Sequence, residues 1–172
     1  MKLVLKYSVF PTPLGLMYAA ASQAGVCRIT YDITTEAFEI DILNRFDADL
    51  VFSPDDELLS LLEDQITRYF SGKLTYFTVP LDFLRGTLFF RQVWRMLQNI
   101  PYGEWRSYKW VATRVQNPNA ARAVGQANRN NDIVIIVPCH RVITSDGRLG
   151  GFGGRPDIKA FLLDLEGTVY KH

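Results

Sequence analysis

Five consecutive β-branched residues, Ile133-Val134-Ile135-Ile136-Val137, run without a polar break into Pro138. So continuous an apolar stretch does not sit on a surface, and it predicts a fully buried strand or extended segment. It delivers the chain to Pro138-Cys139-His140-Arg141, where proline pins the backbone beside a thiol, an imidazole and a guanidinium. Beyond lies a loop with five glycines among residues 147–154.

The elements before that segment read as helices. Thr87 caps a helix with Phe90, Val93, Trp94 and Leu97 on one face, and Pro101 with Gly103 ends it. Ser107 starts another, with Tyr108, Val111, Ala112 and Val115 as its apolar contacts. Pro118-Asn119 interrupts, and Asn119 is placed to cap a third helix from Ala120 to about Arg129. Two short helices joined by a tight polar turn have the form of a helix-turn-helix, although helical hairpins of that size are common. The third helix is small-faced, with Ala120, Ala121, Ala123, Gly125 and Ala127, and it projects Arg122 and Arg129. Small residues permit close approach, either to a ligand or to a neighbouring helix. A last helix from Pro156 to about Glu166 turns Ile158, Phe161, Leu162 and Leu165 inward, with Gly167 at its end.

The first half reads as strands followed by a helix. Strand-like runs at Lys2–Phe10, Leu16–Ala21 and Val26–Tyr31, separated by turns at Leu14-Gly15 and Gln23-Ala24-Gly25, predict a small antiparallel meander. Ser53-Pro54-Asp55-Asp56 has the order of a helix start, and Leu58, Leu61, Leu62, Ile66, Tyr69 and Phe70 form its stripe. Asp32, Glu36, Glu39 and Asp41 read as a solvated acidic face. The expected organisation is an N-terminal α/β domain over 1–80, a linker at about 81–86 and a mainly α C-terminal domain over 87–172.

Charge separates the two halves more sharply than the total of +1 suggests. Residues 1–86 carry seven Lys/Arg against twelve Asp/Glu, and residues 87–172 carry twelve against six. An acidic partner for the second half alone would explain the split. No run approaches the roughly 18 apolar residues of a membrane helix, and the first residues lack the apolar core of a signal peptide. Two cysteines and two histidines exclude a disulfide scaffold and disfavour a structural zinc site. A soluble, cytoplasmic protein without a metal is expected.

Cys139 is the candidate nucleophile. A lone cysteine is commonly an inert buried thiol, but His140 and Arg141 are adjacent, and such neighbours favour the reactive thiolate. Cys27 stands in an ordinary strand without them and reads as structural.

Pro138-Cys139-His140-Arg141-Val142 resembles the active-site signature of the O6-alkylguanine-DNA alkyltransferases, also called methylated-DNA–protein-cysteine methyltransferases. Ile100-Pro101-Tyr102-Gly103 with Ser107-Tyr108 is similar to that family's lead into its helix-turn-helix. Arg122-Ala123-Val124-Gly125 is similar to its recognition helix, and Ala127-Asn128 with Asn131 to its hinge. The likeness is dense from about Gln65 to Gly167 and faint before, where it amounts to Thr12-Pro13-Leu14-Gly15.

The resemblance implies a ribonuclease H-like N-terminal domain, with a small antiparallel sheet plus helix, followed by a helical domain with the helix-turn-helix and the site. It implies irreversible, single-turnover transfer of an alkyl group from O6 of guanine in duplex DNA to Cys139, after nucleotide flipping and without a cofactor. In that reading Glu166 orients His140, which deprotonates Cys139 through a water, and Tyr108 hydrogen-bonds the departing guanine. Asn131 ties the recognition helix to the cysteine. Arg122 enters the base stack, its helix contacting the minor groove through Ala121, Ala123 and Gly125, with Ser107 and Arg129 also on DNA. Pro138, Val142, Leu149, Gly151, Phe152 and Gly153 line the pocket. Without the resemblance, Tyr108 reads as a core aromatic and Glu166 as a surface acid. A monomer is expected, with double-stranded DNA as partner and no membrane.

Three positions depart from the family pattern: Asp132 follows Asn131 where proline is frequent, Phe152 stands where tyrosine is common, and Trp105 replaces a smaller residue. An alkyltransferase-like lesion sensor would lack the cysteine. A plain helix-turn-helix regulator accounts for the charge but not for residues 138–142 or Glu166. A thiol hydrolase has no need of the DNA-binding module.

Overall fold

The computed structural model describes residues 1–151 and 155–172. They form two compact units, Met1–Arg85 and Gly86–His172.

In the first unit β1 (Leu3–Thr12), β2 (Gly15–Ala21) and β3 (Val26–Tyr31) form the antiparallel meander, with β1 running through Pro11 to Thr12. Helix α1 (Thr35–Phe46) then carries the chain to β4 (Ala48–Phe52), which joins parallel to β1 and gives the order β3-β2-β1-β4. Neither α1 nor β4 was legible in the sequence. The helix is capped by Thr34 and buries only Phe38 and Ile42, while Ile40 and Leu43 on its outer side blur the apolar period. Of the acidic face, Asp41 is no bystander: it accepts from Arg28 at 2.9 Å and also pairs with Arg45. Leu5, Tyr7, Tyr18, Ala20, Cys27, Phe38, Ile42 and Ala48 make one buried cluster.

Helix α2 (Glu57–Phe70) packs against β1 and β2. Its cap is Asp56, which accepts from the backbone N–H groups of Leu58 and Leu59, rather than Ser53. The Ser53–Asp56 stretch closes a turn first, Asp56 N–H donating to the Ser53 carbonyl. Leu59, Leu62, Ile66 and Tyr69 lie on the buried face of α2, whereas Leu61, expected in the stripe, is 42% exposed. The expected connector continues the first unit: Val26 N–H donates to the Pro80 carbonyl, Asp82 N–H to the Val26 carbonyl, and Leu84 packs on the core cluster. A Cβ on Gly25 would lie 2.6 Å from the Pro80 oxygen, so only glycine permits this approach.

The second unit begins with α3 (Leu88–Leu97), capped by Thr87 and burying Val93, Trp94 and Leu97. A short strand β5 (Arg106–Ser107) leads into α4 (Tyr108–Arg114), and α5 (Ala121–Arg129) packs on both α3 and α4. The Trp94 indole donates to the Ala127 carbonyl at 2.8 Å, fixing α5 to α3. Asn119 does not cap α5. The helix begins after Ala120 without a side-chain cap, and Ala120 N–H is bound to the Asn117 carbonyl in the preceding turn.

Ile133–Val137 is not a strand. The segment folds into a buried tight turn in which Ile135 sits at φ 73°, Ile136 N–H meets the Val134 carbonyl and Val137 N–H the Ile133 carbonyl. The run is buried as its composition predicts, but it is not extended. Asn131 supplies the reason: its Oδ1 accepts from Ile133 N–H and its Nδ2 donates to the Val137 carbonyl, serving backbone groups that a neighbouring strand would otherwise have to serve. A 3₁₀ turn follows at Cys139–Arg141, then β6 (Val142–Ile143), parallel to β5. Helix α6 (Pro156–Leu165) closes the unit. Its buried face is Ile158, Lys159, Leu162 and Leu163, whereas Phe161, expected inward, is 39% exposed. Among the described residues no helix is long and apolar enough to cross a membrane.

Candidate active site

Cys139 opens the 3₁₀ turn and is 3% exposed. Its Sγ lies 3.3 Å from Asn131 Nδ2, so the Asn131 amide spans the turn from the end of α5 to the sulfur. Burial pushes the thiol up from its ordinary range. The Asn131 hydrogen bond and the Lys159 charge oppose that shift without cancelling it.

His140 is fully buried, with Nε2 2.7 Å from Glu166 Oε1 and a buried Nδ1 that has no hydrogen-bond partner among the described residues. Burial depresses its pKa. The Glu166 carboxylate works against the depression, and the Arg141 and Lys159 cations add to it, so the imidazole is neutral near pH 7. Glu166 caps the C-terminus of α6, where the helix dipole disfavours an anion. Burial alone would raise its carboxyl further, but His140 and Arg141 outweigh both and hold it at about 2.

Arg141 is buried too, and not directed at the sulfur or at solvent. Its Nε donates to Glu166 Oε2 and its Nη2 to Oε1, both at 2.9 Å, and its Nη1 donates to the Ile100 carbonyl at 2.7 Å. Gly103 N–H approaches Glu166 Oε2 at 3.4 Å. The Ile100–Gly103 loop thereby backs the carboxylate, through Gly103 N–H and through the Ile100 carbonyl that anchors Arg141.

Tyr108, at the first position of α4, donates to the Gly151 carbonyl at 3.3 Å, and burial raises its pKa. Lys159 lies beside it and was missed by sequence reasoning. It is fully buried, and its Nζ donates to the Val142 carbonyl at 2.6 Å, the Gly151 carbonyl at 3.2 Å and the Tyr108 hydroxyl at 3.4 Å. Burial lowers its pKa to about 8. The available signal was a charge within the apolar stripe of α6, one turn before Leu163.

On α5, Arg122 and Arg129 are exposed, while Ala121, Ala123 and Gly125 are half-buried. Gly125 packs beside Tyr108, where a Cβ would be 3.9 Å from the ring. Part of the small-residue pattern therefore serves helix packing. Ser107 accepts from Trp110 N–H as the cap of α4. Among the expected pocket residues Pro138 and Val142 are buried, Leu149 is half-buried and Gly151 exposed. Phe152 and Gly153 lie outside the described residues. Among the described residues no three His, Cys, Asp or Glu side chains are grouped to hold a metal ion.

A buried thiol held by Asn131 is thus followed directly in sequence by a neutral imidazole with one open nitrogen on a clamped carboxylate, beyond the end of a helix that exposes two arginines. Such a set can deprotonate sulfur for displacement at carbon. Two family models match the chain: the ribonuclease-like domain of 6-O-methylguanine DNA methyltransferase over residues 5–83, and its DNA-binding domain over residues 88–168. A methylated-DNA–protein-cysteine methyltransferase of Mycobacterium bovis is 53% identical over 115 residues, covering 67% of this chain and 69% of that protein. A protein of the same name from Methanosarcina acetivorans is 39% identical over 162 residues, covering 94% and 98%. Among solved structures, Mycobacterium tuberculosis OGT in complex with DNA matches with a TM-score of 0.81 and 40% identity, over 94% of this chain and 92% of that one.

Proposed function

Because the chain belongs to the methylated-DNA–protein-cysteine methyltransferases, and so repairs DNA by alkyl transfer, we propose that Cys139 accepts the alkyl group from O6 of guanine in duplex DNA. The observation that carries this reading is a buried Cys139 thiol held to the α5 end through Asn131, with the His140–Glu166 pair beginning at the next residue. The S–C bond forms as the C–O6 bond breaks. His140 takes the thiol proton through a bridging water at its open Nδ1, and the Tyr108 hydroxyl hydrogen-bonds the guanine as it leaves. No step requires a cofactor. The thioether has no route back to the thiol, so each molecule acts once.

The guanine O6 edge is paired inside the duplex, so the nucleotide is extruded before it reaches the sulfur. Arg122 fills the space it leaves. The protein works as a cytoplasmic monomer.

Incubation with a duplex bearing O6-methylguanine is expected to add one methyl group to the peptide containing Cys139, read by mass spectrometry, at no more than one per molecule. Repeated turnover, or methylation elsewhere, excludes the assignment. Arg122→Ala is expected to slow transfer from duplex DNA while sparing transfer from the free modified base, compared in single-turnover assays. Equal slowing of both substrates would remove the base-displacing role.

A further inference from the structure

Arg141 follows the proposed base in sequence, yet its guanidinium is committed to Glu166 and to the Ile100 carbonyl. We propose that Arg141 is a positioning residue of the transfer reaction: by bridging both oxygens of Glu166 it keeps that carboxylate ionised and fixed, so that His140 carries its proton on Nε2 and leaves Nδ1 bare.

The geometry supports each part. Two parallel N–H···O bonds of 2.9 Å match the rigid fork of a guanidinium to a carboxylate, and the third bond to Ile100 anchors the guanidinium itself. A buried carboxyl at a helix C-terminus would otherwise tend to hold a proton. Protonated, it would donate to His140 Nε2 and force the imidazole proton onto Nδ1, the nitrogen that must accept from the thiol. The buried Nδ1 without a partner is the arrangement the ionised carboxylate produces.

The other groups around the pair do not substitute for Arg141. Lys159 reaches in from α6 but is bound to Val142, Gly151 and Tyr108. Tyr102 comes from the loop before β5, its hydroxyl bound to the Leu165 carbonyl and its ring 5.8 Å from the Arg141 guanidinium carbon. The Cys139 thiol is itself the proton donor. Arg141 donates to both oxygens of Glu166. Its charge also repels a proton on His140, keeping the base neutral.

This inference rests on His140 acting as the base for Cys139, and its test separates the two. Arg141→Met and Arg141→Lys are compared with the unaltered protein in single-turnover methyl transfer across pH, scaled to the fraction that is finally methylated. Loss of the guanidinium is expected to raise the acid-side midpoint by about one pH unit, because His140 then protonates more readily, and lysine, which retains the charge, is expected to return the midpoint most of the way to that of the unaltered protein. A purely structural role lowers the active fraction and leaves the midpoint in place, which would overturn the proposal. Where Arg141→Met does not fold, ¹⁵N resonances of His140 in the unaltered protein decide: a proton on Nε2 with bare Nδ1 supports the proposal, and a proton on Nδ1 overturns it. If the unaltered protein places no methyl on Cys139, the underlying functional reading fails before this question is reached.

Discussion

Cys139→Ser is expected to abolish methyl transfer while the protein stays folded and still binds DNA containing O6-methylguanine. Serine has the same branching as cysteine and a smaller terminal atom, so it fits without a clash, and its hydroxyl can accept from Asn131 Nδ2, which lies 3.3 Å from Sγ. Thiol and alcohol differ greatly in acidity and nucleophilicity. Burial already holds the thiol above its ordinary pKa, and an alcohol in the same place is beyond the reach of a neutral imidazole in a single displacement. The check is paired: mass spectrometry of the variant after exposure to methylated duplex, and a binding titration with the same duplex. Any methyl on the variant locates the acceptor elsewhere. Cys27 is the poorer candidate, since its thiol contacts the Ala20 carbonyl within the apolar core cluster of the first unit.

Glu166→Gln is expected to slow transfer by a factor on the order of 10³–10⁴, the size of effect seen when an orienting carboxylate is exchanged for its amide in a triad. The amide has one acceptor and one donor end. Arg141 claims the acceptor, which leaves the donor facing His140 Nε2 and moves the imidazole proton to Nδ1. Stability falls as well, because a buried cation loses its counter-charge, by about 3–5 kcal/mol. The pH dependence follows the carboxyl, which is at about 2 in the fold against an ordinary 4.5. A depressed carboxyl stabilises the fold fully above its unfolded pKa and loses that contribution as pH falls toward the folded value. Denaturant melts of the unaltered protein should therefore weaken between about pH 4.5 and 2, and the glutamine variant should lack that component. Transfer within a few-fold of the unaltered rate would show that Glu166 does not orient the base.

Local signals carried much of the molecule. The meander, the α3 cap at Thr87, the two helices of the helix-turn-helix and the buried character of residues 133–137 were all legible from hydrophobic spacing and turn residues. What was lost depended on partners distant in sequence. Helix α1 buries too few residues to show a period, and β4 exists because its strand pairs with β1, more than forty residues earlier. The Ile133–Val137 run has the composition of a strand, but Asn131 takes its backbone hydrogen bonds and folds it into a turn. Around the site, Cys139 and His140 stood out in the sequence, and Asn131 was singled out through the family resemblance alone. The work of Arg141 was hidden, because adjacency to the cysteine suggested an effect on sulfur when its side chain goes to Glu166. Lys159 was not legible as a site residue, since a lysine on an amphipathic helix ordinarily faces solvent and only the placement of α6 turns this one inward.

The single side chain of Asn131 also decides where this protein can be cut and recombined. Its amide joins the end of α5, the turn after it and the sulfur, so one side chain holds the stretch from Ala121 to Arg141 together. Exchanging the helix alone between relatives would leave a foreign Asn-bearing junction to find the same three contacts. Exchange of the whole stretch keeps them intact, with an exposed seam available at Pro118-Asn119.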